Sequence, residues 1–311
     1  MTGMPETAAR PELAELHLHL EGSIEAETLL ELAPFESVEE IQEHYHHTDF
    51  QLFLKNYVWV TNHLQSPAHY ALITRRLLAR LAAQNVTYVE LNLSAGVILW
   101  KQQDLAAIFD AVHAEAQSPP ITVRWIFDAV RQFGVEPAMR VAEAAAERSG
   151  QGVVAFGLGG DEQRGPARWF RDVCRFARES GLRLSLHAGE SAGPESVWEA
   201  LEAGAARIGH GIRAIEDPVL IAHLHDHQVP LEICIASNVA TGVVLRLEDH
   251  PVRRLFDAGV PITLNTDDPA LFHTSLAAEY ETARHVFGFS PEELDQVRRN
   301  AFRFAFDAQA T

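Results

Sequence analysis

Lysine is almost missing from this chain of 311 residues, with Lys55 and Lys101 the only two against many arginines. Cysteine is equally scarce. Cys174 and Cys234 stand far apart with no second thiol near either, which argues against a disulfide framework and against a cysteine-held zinc, and points to a reducing cytoplasm. No apolar stretch approaches the length of a membrane span, and residues 1–12 lack the basic start and apolar run of a secretion signal. Positive charge is in deficit as well. A formal net charge of −18 would repel phosphates, which excludes nucleic acid and anionic membranes as expected partners. No Pro/Gly/Ser-rich linker divides the chain, so one domain is expected over residues 1–311.

What the chain does have is 47% hydrophobic residues, enough for a substantial core, and a recurring short apolar run followed by a helical stretch. The runs at 14–20, 87–93, 122–129, 153–158, 182–187, 207–209, 230–236 and 261–265 read as strands, each ending in polar or glycine residues. Amphipathic segments at 68–84, 137–149, 166–180 and 251–258 lie between them, several opened by proline or closed by glycine. Eight strands alternating with helices predict a (β/α)8 TIM barrel. An open doubly wound sheet is the runner-up, weakened because no GxGxxG follows the first strand. Roughly sixty-five residues separate the first two strands, which predicts a helical insertion at about 24–86. Within it Phe50, Phe53, Leu54 and Tyr57 recur at helical spacing, as a helix packed on the barrel or a lid on its mouth would require.

The first strand carries His17 and His19, two residues apart and therefore on one face, with leucines on the other. The fifth ends in His187-Ala188-Gly189-Glu190, the sixth in Gly209-His210-Gly211, the eighth in Asn265-Thr266-Asp267-Asp268. Carboxyl ends of strands are where barrel enzymes place their chemistry. Three imidazoles and one carboxylate, His17, His19, His187 and Asp267, suit Zn²⁺ and leave a position for water. Glu190, three residues past a ligand, is placed for a general acid. His210 and Asp268 remain to orient the water and exchange its proton. His44, His46 and His47 sit in a polar stretch and are expected to be solvated. Both lysines lie outside the fourth strand, so a carboxylated lysine bridging two metals is not expected; the reading is one zinc per chain.

In order and spacing, HxHLEGS, HAGE, GHG, SN and NTDDP resemble the adenosine deaminase family of the amidohydrolase superfamily, over residues 13–306. The resemblance implies zinc on His17, His19, His187 and Asp267, and protonation of purine N1 by Glu190 while activated water attacks C6. It further implies that His210 takes or positions the water's proton, that Asp268 meets the water and N7, and that the Gly160 backbone meets N3. The HxE and PCxxC signature of cytidine deaminases is absent. Two other readings are weaker. A non-catalytic purine-binding relative would have lost Glu190 or His210, and a hydrolase of amide or phosphoester bonds has less use for a carboxylic acid beside N1.

The resemblance also bears on which purine is bound. Glu21 stands where adenosine-specific members typically have Asp near the ribose, and Ser237-Asn238-Val239-Ala240-Thr241-Gly242 is similar to bacterial nucleoside deaminases, including those of menaquinone biosynthesis. The expected order is 6-amino-6-deoxyfutalosine, then adenosine, then adenine. The first carries a carboxylate that an arginine near the mouth should meet, with Arg131 and Arg213 the candidates. A monomer and a homo-oligomer are both left open.

Overall fold

Each of the eight apolar runs forms a strand in the computed structural model, which describes residues 11–33, 37–117 and 120–307. Residues 1–10, most of the stretch read for a secretion signal, lie outside the described residues. The strands are β1 (Leu13–His19), β2 (Val86–Leu93), β3 (Thr122–Val130), β4 (Val153–Gly159), β5 (Arg183–Ala188), β6 (Arg207–His210), β7 (Leu231–Ile233) and β8 (Ile262–Leu264). All neighbours are parallel and in sequence order, and helices such as Val135–Glu147 and Pro194–Ala203 cover the outside. This is the (β/α)8 barrel. Among the described residues no helix is long and apolar enough to cross a membrane.

The seam between β8 and β1 positions the site. β8 is short, so side chains complete its pairing: Leu16 N donates to Asn265 Oδ1 at 2.9 Å and Thr266 N to Glu15 Oε1 at 2.8 Å. Beyond it, His19 N donates to Asp267 O at 2.8 Å and Asp267 N to His17 O at 3.0 Å. The backbone at Asp267 is left-handed, with φ of 63°. That turn holds Asp267 against both histidines of β1.

The run expected as a strand to residue 236 instead stops at Ile233, and a helix begins at Ile235 (Ile235–Ala240). A continuous apolar stretch gives no period to mark that change. The cause is distant in sequence: Glu279 accepts from the backbone N–H of Ile235 at 2.9 Å and of Ala236 at 3.3 Å, satisfying the start of the helix. The turn carries Ser237 and Asn238 inward, where both are fully buried.

The insertion after β1 forms the helices Ala26–Leu32, Val38–His44, Phe50–Asn62 and Pro67–Ala83. Asp49 caps the third, accepting from Leu52 N at 2.9 Å, and its apolar face packs over the barrel mouth. At its base the expectation for one histidine is corrected. His47 is buried rather than solvated, placed by the Leu271 carbonyl at 3.2 Å and Asn56 at 3.0 Å, whereas His46 is exposed and His44 stacks on Trp59.

Deeper in the barrel, Arg207 lies 2.5 Å from both Glu90 and Glu232 and under the Phe306 ring at 3.6 Å. All three charged groups are fully buried. Such a cluster contributes a fixed arrangement more than net stability, because desolvation offsets its Coulombic gain. Here the arrangement leads to the site, since the other oxygen of Glu232 holds His17.

Candidate metal and proton-transfer site

His17, His19, His187 and Asp267 converge so that one donor atom from each lies within 4.8 Å of the others. His19 Nε2 is 3.3 Å from His187 Nε2, and Asp267 Oδ1 is 3.4 Å from Nε2 of both His17 and His19. Donors held about 2.0–2.1 Å from a tetrahedral Zn²⁺ stand about 3.3–3.4 Å apart, which these three separations match. Partners behind the donors fix their direction. His17 Nδ1 is 2.7 Å from the Glu232 carboxylate, which turns the unpartnered Nε2 into the cluster. Ser237 donates to Asp267 Oδ2 at 2.6 Å, leaving Oδ1 for the cluster.

The electrostatics ask for a cation at this point. Burial disfavours charge on His17, yet the Asp267 and Glu232 carboxylates outweigh it and push its pKa up to about 10. Burial, helped by the charges of His17 and His210 and opposed by Asp267, takes His19 down to about 4. A metal ion would supply the positive charge that the carboxylates otherwise draw as a proton onto His17.

Glu190 is 4% exposed, with its carboxyl 3.8 Å from His210 Nε2. Burial pushes its pKa well above the ordinary carboxylate range, and the charges of Asp267 and Glu162 push it further. Its loop is held by Glu162, which accepts from the backbone N–H of Gly189, Glu190 and Ser191 at 2.7, 2.9 and 2.8 Å. Glu162 therefore fixes the backbone of Glu190 and adds to the rise of its pKa.

The protonation of His210 follows from a chain of hydrogen bonds. Val252 N donates to His250 Nδ1 at 3.1 Å, so neutral His250 carries its proton on Nε2. That nitrogen lies 3.1 Å from Asn238 Oδ1, which fixes the amide and turns its NH₂ towards His210 Nδ1, also at 3.1 Å. Neutral His210 must then present Nε2–H to the site. Burial lowers its pKa to about 4, so the neutral form prevails near pH 7.

Asp268 projects from the turn after Asp267, buried, with Oδ1 unpartnered. It fits only because Gly22 has no side chain: a Cβ there would sit 1.6 Å from Asp268 Oδ1. Asp268 opens onto a cavity of about 780 Å³, counting its open mouth, walled by Phe50, Phe53, Leu54 and Tyr57 from the insertion. Gly160 lines the far wall with φ of +92°, a conformation that side chains rarely adopt.

Three expected substrate contacts fall elsewhere. Arg131 does not line the cavity; it is 1% exposed, and its guanidinium donates to the carbonyls of Gly165 and His187. Arg213 does not line it either and pairs with Glu216 at 2.8 Å. Glu21 is fully buried behind Tyr57, whose hydroxyl is 3.5 Å from it, and accepts from Ser94 N at 3.1 Å. Conversely, roles for Glu232, Glu162, Asn238, His250 and Asp128 were not assigned from sequence. The available signal was a lone acid inside an apolar strand, as in Leu231-Glu232-Ile233 and Phe127-Asp128-Ala129.

Comparison with known proteins identifies the family. The family model described as adenosine deaminase matches residues 12–310. The chain is 37% identical over 308 residues to an aminodeoxyfutalosine deaminase of Streptomyces avermitilis, covering 94% of this chain and 86% of that protein. It is 38% identical over 307 residues to an adenine deaminase of Sinorhizobium medicae, covering 96% and 95%. The crystal structure of adenine deaminase from Arthrobacter aurescens superposes with a TM-score of 0.90 at 30% identity, covering 96% of each chain. An Arabidopsis N6-mAMP deaminase gives 0.86 at 27%, covering 95% and 93%. The chain belongs to the adenosine deaminase family.

Proposed function

We propose that this protein hydrolyses the 6-amino group of an adenine-type purine to release ammonia, using one zinc ion held by His17, His19, His187 and Asp267. The observation that carries the reading is Glu190, a buried carboxyl whose pKa burial and the charges of Asp267 and Glu162 raise well above the ordinary range, beside those four donors and facing the cavity. When bound, zinc lowers the pKa of a water towards neutrality and so supplies the nucleophile.

The chain's own residues do the rest. The Gly160 backbone meets N3, and Phe50, Phe53 and Leu54 exclude bulk water from the ring. Glu190 donates its proton to N1, which drains electron density from C6 and prepares it for attack. His210, with its proton on Nε2, orients the water by donating to it and does not take its proton. Asp268 accepts from the water and faces N7. Of the water's two protons, one leaves with ammonia and the other restores Glu190. The C6–N bond breaks and the C6=O bond forms, with no change in redox state.

Adenosine and adenine would be substrates of purine salvage, and 6-amino-6-deoxyfutalosine one of menaquinone biosynthesis. The reading is tested by metal removal. Stripping with a chelator should abolish ammonia release from adenine-type purines, and one equivalent of zinc should restore it. Undiminished release by metal-free protein would refute it.

A further inference from the structure

One carboxylate in the cavity has no task in metal binding or proton transfer. Asp128, near the end of β3, lines the same cavity as Glu190, Asp267 and Asp268, and is 5% exposed. No hydrogen bond reaches its side chain from any described residue, and Oδ1 is buried without a partner. The adjacent strand leaves room for it: a Cβ on Gly157 would fall 2.6 Å from Oδ1 and one on Gly159 2.9 Å from Oδ2. Two missing side chains thus give the carboxylate a fixed recess in the wall beside Gly160. A buried acceptor left unpaired is costly, so a donor from the bound molecule is the natural complement.

The charge around it narrows what that molecule is. Among the described residues no lysine or arginine lines the cavity, and the lining carboxylates are Asp128, Glu190, Asp267 and Asp268. Arg131, the cation nearest in sequence, spends its donors on Gly165 and His187. A phosphate or carboxylate on the substrate would face Asp128 across a low-dielectric space with no lysine or arginine of the cavity wall to pair with it. A purine N9–H or a ribose hydroxyl would meet it as a donor.

We infer that Asp128 is the specificity-determining acceptor for the part of the purine substrate away from C6, selecting free bases or neutral nucleosides and rejecting anionic 5′ groups. The inference rests on the deaminase reading and deepens it. It places the carboxylate-bearing 6-amino-6-deoxyfutalosine behind adenine and adenosine, reversing the order expected from sequence.

The test compares zinc-loaded protein with its Asp128→Asn and Asp128→Ala variants on adenine, adenosine and adenosine 5′-monophosphate, by ammonia release. Calorimetry on the same samples measures binding of hypoxanthine, inosine and inosine 5′-monophosphate. The native protein should favour the uncharged members of each set. In both variants that preference should fall roughly tenfold or more, through KM and Kd, with zinc content unchanged. An unchanged preference in folded variants, a native preference for the monophosphates, or binding of none of these ligands would overturn the inference. Ammonia release from none of them, with product binding still dependent on Asp128, would sink the deaminase reading and leave this one standing.

Discussion

Glu190→Gln is expected to retain a full complement of metal and lose turnover by roughly 10²–10⁴-fold, the range removed with a general acid. The substitution keeps the shape of the side chain and the Glu162 bonds to its backbone, and it touches none of the four donors. What it removes is the proton. In the native protein that proton is held by burial and by the neighbouring charges of Asp267 and Glu162. The loss should appear in kcat, because N1 becomes fully protonated only on the way to the transition state. Steady-state kinetics with metal analysis of the same sample checks both halves. Activity within tenfold of native would remove Glu190 from the reaction.

His17→Ala should produce the opposite pattern, loss of metal with the fold retained. His17 supplies Nε2 to the cluster and is the imidazole that Glu232 orients at 2.7 Å. Without it three donors remain, and Asp267 loses the neighbour that does most to lower its pKa. Losing an outer partner of a ligand typically costs ~10–100-fold in metal affinity, so losing the ligand itself should cost more. Turnover should fall with zinc content, and zinc added in excess should restore little of it. Native zinc stoichiometry in this variant, measured after dialysis, would show that His17 is not a ligand.

The two substitutions separate because the sequence places their chemistry on different strands. That part was legible in advance. His17 and His19 share a face because strand side chains alternate, and His187, His210 and Asp267 mark the ends of β5, β6 and β8. Most strand boundaries fell within a residue or two, because each run is bounded by polar or glycine residues. What was not legible depends on partners far apart in the chain. Glu232 reads as a stray acid until Arg207, Glu90 and His17 close around it. Arg131 follows a strand end, where a substrate-binding arginine could stand, but its side chain turns inward to carbonyls 34 and 56 residues away. The tautomer of His210 depends on Val252, His250 and Asn238 in series, and no local pattern encodes it. Asp128 is similar: its recess exists only because β4 carries glycine at 157 and 159.

The separation of positioning from proton transfer also explains why the site is so rich in acids. Five buried carboxyls stand in different surroundings: Asp267 in the cluster, Glu232 behind His17, Glu162 under the loop of Glu190, and Glu190 and Asp268, the acid and the water's partner in the proposed reaction, at the cavity. Each environment sets its protonation. Histidines hold Asp267 far below its ordinary range despite burial, whereas burial and the charge of Asp267 raise Asp268. Adjacent residues driven in opposite directions are what a site needs if one is to bind a cation and the other to exchange hydrogen bonds with substrate.

The most direct test of the central claim is to incubate zinc-loaded protein with adenine and with adenosine in oxygen-labelled water, and to follow ammonia and product mass together. Hydrolytic deamination predicts one ammonia per purine consumed and one labelled oxygen in the 6-oxo product. Ammonia release without the label, or label without ammonia, would contradict the chemistry assigned to Glu190 and the four donors. A purine left unchanged by fully metallated protein would contradict it as well.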